Sequence, residues 1–263
     1  MSPFQTTSTP EDLIRLAESA LEAGEPDLTL ELCQTLLATQ PDNLEAKFLE
    51  AEAWRDLREP EEAEARYRSL MTHRNADPSF WSGLGSACFD LGKVEEALRC
   101  FHRALQLNPS HGASAYGRAM VRERLGDEAG ATRDYTRAAA SDEAYPVPIH
   151  MSDSDVAALL SRALESVEPS VRALVETSRL VIEALPPLDI CAAYEPPCSP
   201  ADLLGHFAAI PGGSGWSRFP PTLVLYRRNL ERWASSPDAL VEGIRVSLLE
   251  PLSAWVHSPT DEA

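Results

Sequence analysis

The sequence predicts an α + (α+β) protein, in which an α-solenoid of four helical hairpins precedes a small α+β domain. Three observations carry this prediction. A 34-residue repeat runs through the first half of the chain, the segment 143–148 with its two prolines interrupts the helical pattern, and two short strand-like runs follow. We place the repeat array at residues 10–143 and the second domain at residues 149–257.

The clearest copy of the repeat runs from Pro78 to His111. Shifting the frame by 34 residues gives further copies that begin at Leu44 and Gly112, and a weaker copy begins near Pro10. Small residues let the two antiparallel helices of a hairpin approach, while an aromatic residue fills the gap to the next hairpin. The positions that define the clearest copy are Trp81, Leu84, Gly85, Cys88, Leu91, Gly92, Ala97, Phe101, Ala104 and Pro109.

This pattern resembles the tetratricopeptide repeat family at nearly every signature position. The resemblance implies a superhelix whose concave surface, lined by the first helix of each hairpin, holds a peptide, a helix or a folded partner. Some family members hold a partner's carboxylate there with lysine and asparagine, and that set is absent here. Alternatively, the aromatic residues at these positions could cap the solenoid or pack against the C-terminal half. The partner-binding residues that the resemblance implies are Phe48, Glu52, Arg55, Phe89, Tyr116, Met120 and Glu123.

The second half of the chain mixes helical and strand patterns. Amphipathic periodicity predicts helices, and short aliphatic runs predict strands. A serine followed by proline marks the start of the last helix, because serine caps a helix and proline fits its first position. The predicted helices are 154–165, 169–176, 200–208 and a long one from Pro237, and the predicted strands are 179–183 and 222–226.

Segments within residues 149–257 resemble a small bacterial zincin-like metallopeptidase domain. They are residues 151–153 with the following helix, 199–205, 225–228 and 244–249. In that family the last helix carries His-Glu-x-x-His, which holds zinc through two histidines and supplies a glutamate as general base. The resemblance therefore directs attention to the end of the last predicted helix.

The zinc motif is missing at that place. In the natural register the five motif positions read Glu250, Pro251, Leu252, Ser253 and Ala254. A shift by one residue puts Glu250 at the base position but leaves no histidine at either ligand position. Pro251 is also expected to kink or break the helix. The resemblance thus implies a metal-free pseudo-peptidase that keeps the scaffold.

Composition limits the classes of partner and the compartment. The net charge is −18 and both halves are acidic, which disfavours nucleic acid and anionic membranes and favours a protein partner. The N-terminus has no leader pattern, and no apolar run is long enough to span a bilayer. Five cysteines without metal-type spacing are expected to be reduced thiols. These features predict a cytoplasmic protein.

Other catalytic patterns are weak. A site built from Glu250, His206 and His257 is geometrically possible in such a fold, but a lone histidine is far more often not a ligand. The glycines at 212–215 lack the lysine of a phosphate loop. Acidic neighbours of Cys191 and Cys198 would raise their pKa values. We therefore expect no catalytic residue, no metal and no cofactor.

The predicted function is a non-enzymatic adaptor or regulator that binds a partner protein through the repeat groove and the pseudo-peptidase surface. Two alternatives stay open. The chain could be a cytoplasmic inhibitor or chaperone of a partner enzyme such as a protease, or a metallopeptidase with a rebuilt metal site. The sequence leaves the partner and the oligomeric state open.

Overall fold

The computed structural model describes residues 9–194, 197–208, 222–233 and 236–252. The chain divides into two compact units, Met1–Tyr145 and Pro146–Ala263. Within residues 9–145, every regular element that the structure describes is an α-helix. These are α1 (Pro10–Glu22), α2 (Pro26–Thr39), α3 (Leu44–Asp56), α4 (Pro60–Leu70), α5 (Pro78–Asp90), α6 (Val94–Leu107), α7 (Gly112–Arg124) and α8 (Glu128–Ser141).

The helices form four hairpins with the predicted period. First helices begin at residues 10, 44, 78 and 112, and second helices at residues 26, 60, 94 and 128, so both sets advance by 34 residues. Each first helix is capped by a side chain that accepts a backbone N–H from its first turn, which fixes where it begins. The capping residues are Thr9, Asn43, Asp77 and His111. The prediction of four hairpins is confirmed.

The packing between the third and fourth hairpins centres on Phe101. Its ring is fully buried, and it lies against Gly85 of α5 and Gly117 of α7. A Cβ atom at Gly85 would lie 2.9 Å from the ring, and one at Gly117 would overlap it. Glycine at these two places therefore lets neighbouring backbones close on one aromatic ring.

An ion pair lies inside the fourth hairpin. Arg118 donates from Nε and Nη2 to the two oxygens of Asp134, at 2.7 and 2.6 Å. Both side chains are nearly inaccessible, at 9% and 4% exposure. Arg122 adds a third bond to the same carboxylate, at 2.8 Å. The carboxylate is thus satisfied within the hairpin.

The equivalent positions of the second hairpin carry a pair of the opposite polarity. There the first helix supplies the acid, Glu50, and the second helix supplies the base, Arg66, with 3.3 Å between Oε1 and Nε. The third hairpin has Leu84 and Cys100 at the same positions. The hairpins therefore share a backbone plan but differ in the chemistry that joins their two helices.

The second unit combines helices with a three-stranded sheet. Its helices are α9 (Asp153–Leu164), α10 (Pro169–Thr177), α11 (Leu188–Ala192), α12 (Arg227–Trp233) and α13 (Pro237–Ile244), followed by a π-helical turn (Arg245–Leu249). Its strands are β1 (Arg179–Glu183), β2 (Gly205–Ala208) and β3 (Thr222–Tyr226). The strand order is β1-β3-β2, with β3 parallel to β1 and antiparallel to β2. The predicted strands 179–183 and 222–226 are confirmed.

The predicted helix at 200–208 is wrong, because residues 205–208 form strand β2. Asn229 is buried and donates to the backbone carbonyls of Pro200 and Leu203, at 3.0 and 2.7 Å. Those carbonyls are therefore used by a side chain of α12 rather than by a helix. Gly205 then fits closely against β3, since a Cβ atom there would lie 2.5 Å from the carbonyl oxygen of Val224.

One face of the sheet and the surrounding helices enclose the core of this unit. Buried apolar side chains come from α9, α10, β3, α12, α13 and the π-helical turn. Pro251 does not end the last helix, which continues to Leu252, the last described residue. The preceding turn instead widens, and the N–H of Glu250 donates to the carbonyl of Arg245, five residues earlier. The widened turn is the distortion that accompanies Pro251.

Candidate functional site

The face formed by the predicted partner-binding residues begins at Phe48 on α3. Its half-buried ring meets Tyr67 edge to face, with 6.2 Å between the centroids. The guanidinium carbon of Arg74 lies 4.3 Å from the Phe48 centroid. Arg74 is held there by Glu45 and by Asp77, whose Oδ2 accepts from Nη1 at 2.9 Å. An aromatic ring and a positioned cation therefore share this end of the face.

A partly buried hydrogen-bond network lies one turn further along α3. Tyr67 donates its hydroxyl to Glu52, and Arg55 Nη1 lies 2.7 Å from Glu52 Oε2. Arg55 also donates to Asp56, at 3.0 Å. Burial raises the pKa of Glu52, although the charge of Arg55 and the Tyr67 hydrogen bond lower it. Glu52 and Asp56 thus fix the position of the Arg55 guanidinium, and Tyr67 in turn holds Glu52.

The fourth hairpin contributes a cluster of tyrosines. Tyr116 meets Tyr135 edge to face at 5.0 Å and Tyr145 at 5.6 Å between centroids. Tyr135 donates its hydroxyl to Glu123, at 2.9 Å, and Met120 packs against this cluster. The aromatic side chains here are held mainly by one another.

Tyr145 packs on Tyr116 and also lies within the electrostatic influence of the second hairpin. Burial and the charge of Asp142 raise its pKa, while the positive charge of Arg55 lowers it. The two side chains are therefore near enough to interact electrostatically, although they belong to different hairpins. This places Tyr145 beside the predicted set, where the sequence pattern had not assigned it.

The structure thus places six of the seven predicted side chains at least partly within reach of solvent. Phe89 differs, because it is 4% exposed and packs inside the array. The repeat pattern missed Arg74 and Tyr145, which lie in the segments that follow α4 and α8. A family pattern assigns groove positions to first helices, so it gave no signal for residues in connecting segments.

One group of side chains in the array has metal-like spacing. Ligand atoms of Glu64, Cys88 and Glu96 lie within 4.8 Å of one another, and they form the one such group among the residues described. However, Glu64 already accepts from Lys93 at 2.5 Å and from Arg68 at 2.7 Å. Arg68 also bonds Glu96, at 2.8 Å. The arrangement is an ion-pair network that joins the second and third hairpins.

The second unit carries different chemistry where a zincin has its motif. Glu250 is exposed and forms an ion pair with Arg245. His206 lies on β2 and stacks on Tyr226, whose hydroxyl is 3.0 Å from Nδ1. Burial lowers the pKa of His206, partly offset by the charge of Glu183. Glu250 and His206 thus each bond to a different neighbour, Arg245 and Tyr226.

Further residues of the motif register, of the alternative zinc site and of the phosphate-like loop lie outside the described residues. They are Ser253, Ala254, His257 and the glycines at 212–215. Among the cysteines, Cys33, Cys88 and Cys100 are free and buried as expected. Among the helices that the structure describes, none combines the length and the apolar character that crossing a membrane requires.

Family models match parts of both halves of the chain. Residues 78–111 match a tetratricopeptide repeat model, and residues 20–87 match a second model of that repeat. Residues 175–256 match the model of the zincin-like metallopeptidases. These ranges contain the clearest repeat and the segments 199–205, 225–228 and 244–249, but not residues 151–153 or the repeat that begins at Gly112.

Individual relatives match part of the chain. Human protein O-mannosyl-transferase TMTC3 is 27% identical over 117 residues, which are 44% of this chain and 12% of that protein, so the chain spans only a small part of this relative. A solved structure of MamA is 18% identical, with a TM-score of 0.43 over 57% of this chain and 81% of that one. MamA from Desulfovibrio magneticus RS-1 is 15% identical, with a TM-score of 0.46 over 52% and 77%.

The family matches and the four hairpins indicate the same repeat architecture. Repeats of this kind are used for protein–protein interaction because stacked hairpins create an extended surface. The chain is a tetratricopeptide repeat protein with a C-terminal zincin-like domain.

Proposed function

We propose that this chain is an adaptor or regulator that binds a partner protein through the concave face of its repeats. The observation that carries the proposal is the preorganised set around Phe48, where Arg74 covers the ring and Tyr67 supports it. Rigid aromatic side chains bind at little cost in conformational entropy, so they are typical anchors of protein interfaces. The partner would be a helix or a folded surface that places an apolar side chain against Phe48.

Further contacts would come from Met120 and Tyr116. Both are half-buried, so each offers apolar surface without a large exposed patch. Arg55 is held by Glu52 and Asp56 and would act as a fixed donor for a polar group of the partner. Since Phe89 is buried, we leave it out of the proposed contact set.

We propose that the zincin-like domain provides a second binding surface and has no peptidase activity. Glu250 stands at a motif position, but it is exposed and paired with Arg245. Leu249 is buried in the core at the neighbouring position, so sliding the motif by one residue brings a packed leucine to a ligand position. The free cysteines and the acidic surface support a cytoplasmic location.

Removing the apolar anchors tests the groove. In the full-length variant Phe48→Ser with Met120→Ser, we expect loss of at least about nine-tenths of the partner that wild type captures, because hot-spot truncations cost on the order of 2 kcal/mol each. The measurement is quantitative affinity purification from the native host, followed by mass spectrometry. Leu16→Ser is the matched control, because it removes a leucine that is exposed on α1.

One outcome would contradict partner binding in the groove. Equal capture by wild type and by the double variant would show that the partner binds elsewhere. Circular dichroism of each variant separates lost binding from lost folding, since a folded variant keeps the helical signal.

Metal analysis tests the claim that the zincin-like domain is not a peptidase. We expect purified full-length protein to contain far less than one zinc per chain after exposure to zinc and gel filtration, because no histidine occupies either motif position. Glu250→Gln should leave the metal content unchanged. Stoichiometric zinc that falls in the Glu250→Gln variant would instead support a rebuilt metal site.

A further inference from the structure

A pocket of about 470 Å³ lies between α6 and α7, away from the residues proposed above for the concave face. The residues of α6 that line it are Leu98, Arg99, His102, Arg103 and Gln106. Leu125 lines it from the end of α7, and Asp127 adds one carboxylate, which is paired with Arg122 at 3.6 Å. Leu125 is 49% exposed, which leaves apolar surface open beside the cations. The pocket therefore offers positive charge next to an apolar contact.

Two pairs of arginines, which differ in their partners, supply the positive charge of this pocket. Arg118 and Arg122 also line it, but both are bonded to Asp134 within the fourth hairpin. Arg99 and Arg103 are exposed, and among the residues that the structure describes neither has a carboxylate partner. Arg103 donates to the neutral amide of Gln106, at 3.4 Å, so both guanidinium groups keep donors for an anion from another molecule.

The spacing of Arg99 and Arg103 determines which anion can bind both of them. Arg99 and Arg103 are four residues apart on α6, so their side chains project from the same helix face about 5–6 Å apart. Guanidinium groups bind carboxylates through paired N–H donors. Two carboxylates at one-turn spacing on a partner helix would match them.

We propose that this pocket binds an acidic segment of a partner protein, with carboxylates on Arg99 and Arg103 and an apolar side chain between Leu98 and Leu125. Charge complementarity within the pocket supports this occupant, because Arg99 and Arg103 are exposed cations without a carboxylate partner among the described residues. A nucleic acid fits less well. Its phosphates continue beyond the pocket and would meet the acidic surface, and its backbone offers no apolar side chain for Leu125.

The chain supplies a matched control for this proposal. Arg133 and Arg137 on α8 occupy the positions of Arg99 and Arg103 one repeat later. They are also exposed and without a carboxylate partner among the described residues, but they do not line the pocket. Reversing either pair changes the net charge equally, so a difference between the two variants reports the pocket rather than the overall charge.

The test is fluorescence polarisation with full-length protein and a short labelled helical peptide that carries two glutamates at one-turn spacing and a leucine between them. Arg99→Glu with Arg103→Glu should raise Kd at least about tenfold, since each broken charge contact is worth on the order of 1 kcal/mol or more. Arg133→Glu with Arg137→Glu should raise it less than about threefold, since screening weakens distant charges. Leu125→Ser should also weaken binding.

Several results would overturn the proposal. They are no binding of the peptide to wild type, equal weakening by both arginine pairs, or unchanged binding of a peptide whose leucine is replaced by serine. Tighter binding of a labelled oligonucleotide than of the peptide would also overturn it, in favour of nucleic acid. If the charge-reversed pair loses its helical signal, Arg99→Gln with Arg103→Gln tests the same contacts without adding acidic charge.

Discussion

Replacing Asp134 by alanine is expected to lower the free energy of unfolding of the repeat array by about 3–5 kcal/mol, because it leaves Arg118 buried without its counter-charge. Arg118 is 9% exposed and makes two bonds to this carboxylate. Hydrogen exchange measured by mass spectrometry on the full-length chain checks this, since it follows peptides of the array separately from those of the second unit.

The control removes both charges together. Arg118→Leu with Asp134→Leu should cost less than Asp134→Ala alone, because no buried charge is left unpaired and Arg122 keeps a contact with Asp127, at 3.6 Å. Asp42→Ala, at a fully exposed position, should change the free energy of unfolding by less than about 1 kcal/mol. A small effect of Asp134→Ala would mean that water reaches Arg118.

Replacing Phe101 by alanine is expected to lower the free energy of unfolding by about 3–5 kcal/mol. The ring is fully buried and touches helices of two hairpins, α5 and α7. Backbones already in close contact at Gly85 and Gly117 cannot move much further together, so a cavity would remain. Urea denaturation of the full-length chain, followed by circular dichroism, measures the loss through the shift of the array's transition.

The variant Gly117→Ala tests whether packing or helix propensity has the larger effect on stability at this position. Propensity alone favours alanine in a helix interior by about 1 kcal/mol, whereas the added methyl group would overlap the Phe101 ring. We therefore expect destabilisation. A more stable Gly117→Ala protein, or a Phe101→Ala protein with an unchanged transition, would show that the hairpins can separate at this interface without cost.

The repeat array could be predicted from the sequence because its signals are local and recur. The side-chain caps at residues 9, 43, 77 and 111 stand directly before their helices, and the period carries each assignment to the next repeat. Strands β1 and β3 were also found because each is a continuous run of β-branched and aliphatic residues.

Strand β2 was missed because its cause is distant in the sequence. Residues 205–208 pair with β3, which begins at Thr222, and the preceding carbonyls are held by Asn229 of α12. No local pattern shows either contact, and a short apolar run fits a helix or a strand equally well. Helix α12 was missed for a related reason, since it follows β3 without a connecting segment.

The candidate site was predictable only in part. The family pattern gave the first-helix positions, including Phe48 and Tyr116, but burial depends on the neighbouring hairpin, and so Phe89 is enclosed. Arg74 reaches Phe48 from a connecting segment, and Tyr145 lies beyond the last repeat helix. The pocket beside α6 also escaped notice, because it depends on which arginines lack an acid nearby.

The opposite polarity of the ion pairs in the second and fourth hairpins has a consequence for assembly. If α3 were to pair with α8, Glu50 would face Asp134, and if α7 were to pair with α4, Arg118 would face Arg66. Both mismatches would leave a nearly inaccessible charge, Asp134 or Arg118, facing a charge of the same sign, which is costly. Charge thus distinguishes the helices of the second hairpin from those of the fourth, whereas the third hairpin, with Leu84 and Cys100 at these positions, carries no such mark.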